Sequence, residues 1–215
     1  MHCRGLAKIT VAFVLVSILC LLHNVQAQTP KVKLTVGTMS FCTDTVRFMR
    51  DHLVPTFNQY EEFLEVEFVP WGRSQIVDGQ IICTRGENEC WANRMQRCAL
   101  NLLKGNQRKI VDFMACEFAP SLPGFSSGSY ECAVAAGLNI VDVDHCVTNP
   151  QNDDLDEEAQ IASIDPMSVI NFIPYILVND VVDQSISAQA YTRLSSVVCF
   201  ILAADPNSGI SGCYF

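Results

Sequence analysis

Cysteine is the residue type whose number and placement in this chain could do chemistry. There are 11 cysteines, and Cys3 and Cys20 lie within the first 27 residues. The nine others are an odd number, so full pairing would leave one thiol free. One arithmetic solution leaves Cys42 free and forms four disulfides from Cys83, Cys90, Cys98, Cys116, Cys132, Cys146, Cys199 and Cys213. A free thiolate attacks disulfides and forms mixed disulfides.

The spacing of the other cysteines favours disulfides over metal. Cys83, Cys90 and Cys98 are separated by six and seven residues, not by the two to four that bring two thiolates to one zinc ion. We therefore predict no metal site and no cofactor. Only the near pair of Cys199 and Cys213, which flanks a loop rich in glycine and proline, predicts a specific bridge, because eight cysteines allow 105 connectivities.

The residues around Cys42 predict a strand that leads into a helix. Residues 31–39 alternate apolar and polar side chains, which is typical of a strand. Cys42 follows, and Thr43 or Asp44 can cap the next helix. Amides at a helix N-terminus stabilise a thiolate, whereas the negative charge of Asp44 opposes it. The balance of these two effects decides whether Cys42 reacts.

Further elements complete an α/β frame. Pro55 should kink the first helix, because proline lacks the backbone donor, and a second strand fits residues 64–69. Pro174 precedes an apolar strand, a turn and a possible return strand at residues 181–182, and residues 187–204 read as a closing helix. Strand, cysteine at a helix N-terminus, kinked helix and strand predict the opening βαβ unit of a thioredoxin-like fold.

The long stretch between the second strand and Pro174 predicts an insertion. Helical patterns occur near residues 90–104, 109–117 and 130–137, and most of the remaining cysteines lie in this stretch. We interpret residues 72–168 as a disulfide-stapled helical insertion within one domain of residues 28–215, since no linker or repeat divides the chain.

The first 27 residues predict a secretory signal. Arg4 and Lys8 precede an apolar run of 14 residues, and small residues end at Ala27. An uncleaved anchor is the alternative, but the run is shorter than the roughly 20 residues that span a bilayer. No later segment is expected to be long and apolar enough to cross a membrane. Export favours an oxidising compartment and therefore disulfides.

Three cysteines form a cluster of fixed spacing. Residues 83–98 follow the pattern C-x2-G-x2-E-C-x2-N-x4-C, with Gly86, Glu89 and Asn93 between the cysteines. This pattern resembles the signature of the GILT family, the gamma-interferon-inducible lysosomal thiol reductases. Where that family usually carries Gln-His, this chain has Thr84 and Arg85. Residues 69–72 and 171–175 also resemble family segments, so the resemblance covers most of the mature chain.

The resemblance implies a site that this chain has altered. It implies that Pro174 is cis and lies beside the active cysteine, and that the first strand delivers Cys-x-x-Cys. Here those four residues are Cys42, Thr43, Asp44 and Thr45. A dithiol cycle needs a second thiolate to release the mixed disulfide, and a threonine hydroxyl cannot form an S–S bond. We therefore predict a degenerate thiol site made of Cys42, Thr45 and Pro174.

Three hypotheses for function follow. In the first, a secreted relative has lost dithiol turnover and acts by binding a protein or a cell surface. In the second, Cys42 acts as a monothiol that reduces or isomerises protein disulfides with an external thiol. In the third, Cys42 is structural and can link two chains as a dimer. A Cys/His couple is disfavoured, because His52 lies roughly 15 Å along the helix by rise alone, and His145 reads as a loop residue.

Charge limits the partners. Without Arg4 and Lys8, the chain has 12 basic and 23 acidic residues. This negative net charge disfavours nucleic acid as a partner. Residues 149–158 are acidic and predict a solvated loop entering a helix, with no calcium-loop pattern. A candidate recognition surface on the insertion pairs this stretch with a basic group, and the alternative is that the basic residues only line solvated helix faces. The basic group is Arg85, Arg94, Arg97, Lys104, Arg108 and Lys109.

The chain has no Asn-x-Ser/Thr acceptor for an N-linked glycan. Lysosomal members of the resembled family depend on such glycans for sorting. The sequence therefore predicts secretion to the extracellular space, with lysosomal delivery as the alternative.

Overall fold

A computed structural model describes residues 29–119, 129–149 and 154–213. The predicted signal peptide and residues 150–153 of the predicted acidic loop lie outside the described residues. The strands are β1 (Val32–Thr38), β2 (Leu64–Pro70), β3 (Gln75–Val77), β4 (Gln80–Ile82) and β5 (Tyr175–Val178). The helices are α1 (Thr43–Phe48), α2 (Val54–Tyr60), α3 (Glu87–Leu102), α4 (Gln107–Glu117), α5 (Glu131–Ala135), α6 (Ile140–Thr148), α7 (Asp154–Val169) and α8 (Gln184–Ala204).

The central sheet has the strand order β2-β1-β5. β1 runs parallel to β2, from Val32 opposite Leu64 to Thr38 opposite Pro70, and antiparallel to β5. The middle strand is buried along most of its length, as expected for a strand covered on both faces. The predicted βαβ opening and the thioredoxin-like α/β fold are confirmed.

The connection from β1 to β2 is one helical path with a wide turn in its middle. A π-helical segment, Met49–Leu53, joins α1 to α2, and Pro55 lies in the first turn of α2. Proline has no N–H to donate to the preceding turn of this continuous helical path, and the wide π-helical turn lies next to the place where that bond is missing. The predicted N-cap was wrong by one residue: Cys42 itself has extended backbone angles, and its carbonyl accepts the Val46 N–H at 3.1 Å.

The predicted return strand after β5 was wrong. Val181 forms only an isolated bridge with Val178, closed by Asn179 and Asp180 at positive φ. Asp183 already caps α8 by accepting the Ile186 N–H at 2.8 Å. Too few residues separate the turn from the helix to form a strand.

Between β2 and β5 lie a short hairpin and helices α3 to α7. The hairpin of β3 and β4 was not predicted, although its turn residues Asp78 and Gly79 are the pair that favours such turns. The helical patterns near residues 90–104, 109–117 and 130–137 correspond to α3, α4 and α5. Disulfides join Cys83 to Cys90, Cys98 to Cys146, Cys116 to Cys132, and Cys199 to Cys213.

The predicted recognition surface is wrong for Arg97 and Asp156, which do not lie at the surface. Arg97 and Asp156 are buried and form an ion pair, which Arg94 joins from the same helix. Asp156 therefore does not belong to a solvated loop but ties the start of α7 to α3. Arg97 also donates to the Pro70 carbonyl and lies over the Trp71 ring at 5.3 Å. The two arginines are therefore not free to meet a partner.

The closing helix α8 is long and apolar enough, by length and composition, to cross a membrane. The sequence-based statement that no later segment meets this criterion was therefore wrong. Ala190, Leu194 and Val198 of this helix are buried in the core that contains β1 and β5. One face of this helix therefore packs into the core, and a helix of the core can meet the same criterion.

A buried carboxyl lies between α3 and α4. Glu117 accepts the Gln96 side-chain N–H at 3.1 Å, and both residues are almost fully buried. Burial raises the pKa of Glu117 to about 7, and the Gln96 hydrogen bond opposes the rise only in part. The folded protein therefore holds this proton at pH values where the unfolded chain has released it.

We expect stability to fall as pH rises through the range from about 4.5 to about 7. Below this range Glu117 is protonated in both states, and above it the folded state must ionise a buried group. The loss attributable to Glu117 should approach about 3 kcal/mol. Urea unfolding of Glu117→Gln should show a flatter pH profile, with exposed Glu62→Gln as the control. An unchanged profile in Glu117→Gln would contradict this assignment.

Candidate functional site

Cys42 follows the short loop after β1 and lies against the segment that leads into β5. Its side chain is 7% exposed, and its Sγ donates to the Ile173 carbonyl at 3.5 Å. The Ile173–Pro174 peptide bond is cis, as the family resemblance implied. The fold therefore brings together Cys42 and Pro174, which are 132 positions apart in the sequence.

Thr45 lies one helical turn beyond Cys42 and is fully buried. Its hydroxyl oxygen has no hydrogen-bond partner in the described structure. Residues three apart on a helix lie on the same face, so the Thr45 side chain is on the Cys42 side of α1. The residue one turn beyond Cys42 thus offers a buried hydroxyl that makes no polar contact.

Asp44 is engaged away from the thiol. Its carboxylate accepts the Tyr191 hydroxyl at 3.2 Å and lies 3.7 Å from the Arg47 guanidinium. Burial, followed by the Asp44 charge, raises the pKa of Tyr191. The Tyr191 ring stacks on Phe48 and meets Phe172 edge to face, with ring centres 5.3 Å apart in the latter pair. These contacts fix α1 and the cis-proline segment to α8.

Neither histidine forms a couple with the thiol in this structure. His52 packs its ring near Phe48 and Tyr191, with centroid distances of 6.2 and 6.5 Å. His145 is exposed on α6, so the expectation of a loop residue was wrong in its element. His52 therefore lies among aromatic rings, and His145 lies at the surface.

One signature residue, Asn93, contacts the loop that carries Cys42, and Gly86 and Glu89 shape the turn before α3. Gly86 precedes α3 at φ 87°, a backbone conformation that favours glycine. Buried Glu89 accepts the Arg85 backbone N–H at 2.8 Å, and burial raises its pKa. Asn93 accepts the Ser40 backbone N–H at 2.9 Å. The sequence pattern identified these residues, but only the fold shows that Asn93 contacts this loop.

The remaining cysteines in the described residues are all paired, which leaves Cys42 as the free thiol in this part of the chain. The same part contains no group of three or more His, Cys, Asp or Glu side chains that could hold a metal ion. The chemistry that the site itself offers is that of a single thiol beside a cis-proline.

Comparison with known proteins shows which sequences this chain is similar to. The sequence profile of the family described as "Gamma interferon inducible lysosomal thiol reductase (GILT)" matches residues 33–135. The chain is 23% identical to "GILT-like protein 1" of Drosophila melanogaster over 82% of this chain and 77% of that protein. It is 26% identical to the "Gamma-interferon-inducible lysosomal thiol reductase" of Carassius auratus over 77% of this chain and 66% of that protein.

Among solved structures, a thioredoxin-like oxidoreductase from Silicibacter pomeroyi DSS-3 is similar in fold. The TM-score is 0.51 at 16% identity, and the match covers 78% of this chain and 88% of that chain. At this identity the likeness concerns the fold alone.

Proposed function

Because the chain belongs to the GILT family and is thiol reductase-like, we propose that it has lost dithiol turnover and acts by binding a protein or cell-surface partner. The observation that carries this proposal is that residue 45 is a threonine and not a cysteine. It is buried on the Cys42 side of α1 and offers no sulfur. A mixed disulfide formed at Cys42 would have no intramolecular thiol to release it.

The surroundings of Cys42 support a contact with a partner. Phe172 is adjacent to the Ile173–Pro174 bond and is 39% exposed, so a large apolar side chain is presented beside the thiol. Apolar anchors of this kind contribute much of the affinity at protein interfaces. We propose a secreted protein, because the sequence has a signal-like N-terminus and no standard N-glycan acceptor. Lysosomal delivery is the alternative location.

A second candidate is monothiol thiol-disulfide exchange, which the free Cys42 beside cis-Pro174 favours. The Cys42 thiolate would attack a substrate disulfide, forming a mixed disulfide and releasing one substrate thiolate. A small thiol would then attack the Cys42 sulfur, releasing the second substrate thiol. A second small thiol would regenerate Cys42 and leave as an oxidised small-thiol disulfide.

Turnover of a denatured disulfide-bonded protein, with and without added glutathione, tests these proposals. We expect wild type to show no turnover without glutathione, because Cys42 alone cannot complete the cycle. Cys42→Ser is the matched control, since it replaces only the sulfur. No turnover by wild type under either condition supports the binding proposal.

Other outcomes are equally informative. Turnover that needs glutathione and is lost in Cys42→Ser would favour the monothiol candidate. Turnover by wild type without a small thiol would contradict both. A dimer on a non-reducing gel that is lost in Cys42→Ser would instead support the structural hypothesis for Cys42.

A further inference from the structure

We infer that Asn93 of α3 and Arg85 in the turn before this helix position the loop that presents Cys42. This loop consists of Met39, Ser40 and Phe41, between β1 and the thiol. The inference rests on the proposed function only for its consequence in partner binding or turnover. The contacts themselves are independent of what Cys42 does.

Asn93 holds the loop through a hydrogen bond to the loop backbone. Its side-chain oxygen accepts the Ser40 N–H at 2.9 Å, and both residues are buried. A buried backbone donor that loses its only acceptor retains its full desolvation cost. The Ser40 side-chain oxygen has no hydrogen-bond partner. The bond from the Ser40 N–H to Asn93 is therefore the hydrogen bond that holds Ser40 to α3. Removing it favours a displaced loop.

Arg85 holds the next residue of the loop. Its guanidinium donates to the Phe41 carbonyl, and Phe41 has a positive φ of 68°. Non-glycine residues adopt this conformation rarely, so it persists where neighbouring contacts hold it. Arg85 stands where the family usually carries histidine, so this contact is made by a residue in which this chain departs from the pattern.

The backbone of Arg85 is itself held in place. Glu89 accepts the Arg85 N–H at 2.8 Å, and the disulfide of Cys83 with Cys90 closes the turn that contains Arg85 and Gly86. The Arg85 side chain therefore extends from a clamped backbone towards the loop. The signature C-x2-G-x2-E-C-x2-N thereby acts on Cys42 without touching its sulfur, which makes Asn93 and Arg85 positioning residues.

The test is the rate at which iodoacetamide alkylates Cys42 in the folded protein, followed by mass spectrometry. Arg85→Met keeps the length of the side chain and removes the donor. We expect it to raise the rate roughly fivefold, because losing a charged hydrogen bond shifts the opening of the loop towards exposure of the buried thiol. Arg85→Lys retains a donor and should return the rate to within about twofold of wild type. Arg108→Met, which removes a partly exposed arginine on α4, is the control.

Asn93→Leu should raise the rate by roughly tenfold, because its lost bond is buried. Gln96→Leu, which removes a buried amide one turn further along the same helix whose partner is Glu117, controls for loss of stability alone. The inference is overturned if Arg85→Met alkylates at the rate of Arg108→Met. This holds even if Asn93→Leu does not fold. Alkylation needs no partner and no turnover, so failure of the proposed function would leave this result unaffected.

Discussion

Thr45→Cys is expected to give the protein a dithiol cycle. The new thiol would lie three residues beyond Cys42 on the same helix face, where side chains are about 5–6 Å apart at Cβ, within the range that a small rearrangement brings to disulfide geometry. Thr45 is buried and its hydroxyl has no partner, so the substitution removes no hydrogen bond. The methyl group that is lost leaves room for the larger sulfur.

The expected effect is large because release of the mixed disulfide becomes intramolecular. Linked groups commonly reach effective concentrations in the millimolar range, so release should be roughly a hundredfold faster than with about 10 µM external thiol. The measurement is the lifetime of a Cys42 mixed disulfide formed with a model peptide disulfide. Mass spectrometry also reports whether the oxidised variant has formed an internal disulfide.

Thr45→Ser is the matched control, since it differs from Thr45→Cys by one atom and keeps the hydroxyl. It should behave like wild type. If Thr45→Cys forms its internal disulfide but clears the mixed disulfide no faster, the missing sulfur is not what limits this chain. If the internal disulfide does not form, the geometry at α1 has diverged from that of a dithiol site.

The elements around Cys42 could be predicted because each depends on a local pattern. Alternation along β1 and β2 predicted the parallel pair, and the proline before β5 predicted the segment that meets the thiol. The short hairpin of β3 and β4 was missed because three-residue strands show too little alternation, although Asp78-Gly79 was a usable signal. Only the start of helix α7 was predicted, as the helix that follows the acidic residues, because Pro166 lies inside it and its apolar residues form no clear stripe.

The buried charges could not be predicted, because their burial depends on partners far away in the sequence. Asp156 stands in an acidic run that resembles a solvated loop, and its partner Arg97 lies 59 positions earlier. No local feature separates these residues from Lys104 or Lys109, which are exposed. The contacts of Asn93 and Arg85 with the Cys42 loop could not be predicted for the same reason. In both cases the residue types were visible and the neighbours were not.

Asp156→Asn is expected to cause the largest loss of stability among single substitutions of charged residues here. Its carboxylate joins Arg97 and Arg94, and both Arg97 and Asp156 have almost no exposed side-chain surface. Burial lowers the pKa of Arg97, and the charge of Asp156 opposes this change. Removing the negative charge leaves a buried cation without compensation, which typically costs about 3–5 kcal/mol. Urea unfolding should show a lower midpoint at an unchanged m-value.

Glu61→Gln is the comparison, because Glu61 pairs with Arg108 on the surface, where both side chains are more than a third exposed. Exposed pairs contribute roughly 0–1 kcal/mol, so this variant should unfold close to wild type. The double variant Asp156→Asn with Arg97→Met removes the stranded charge and should recover part of the loss. A loss below about 1 kcal/mol in Asp156→Asn would mean that water reaches the pair. The attachment of α7 to α3 would then rest on apolar packing rather than on this ion pair.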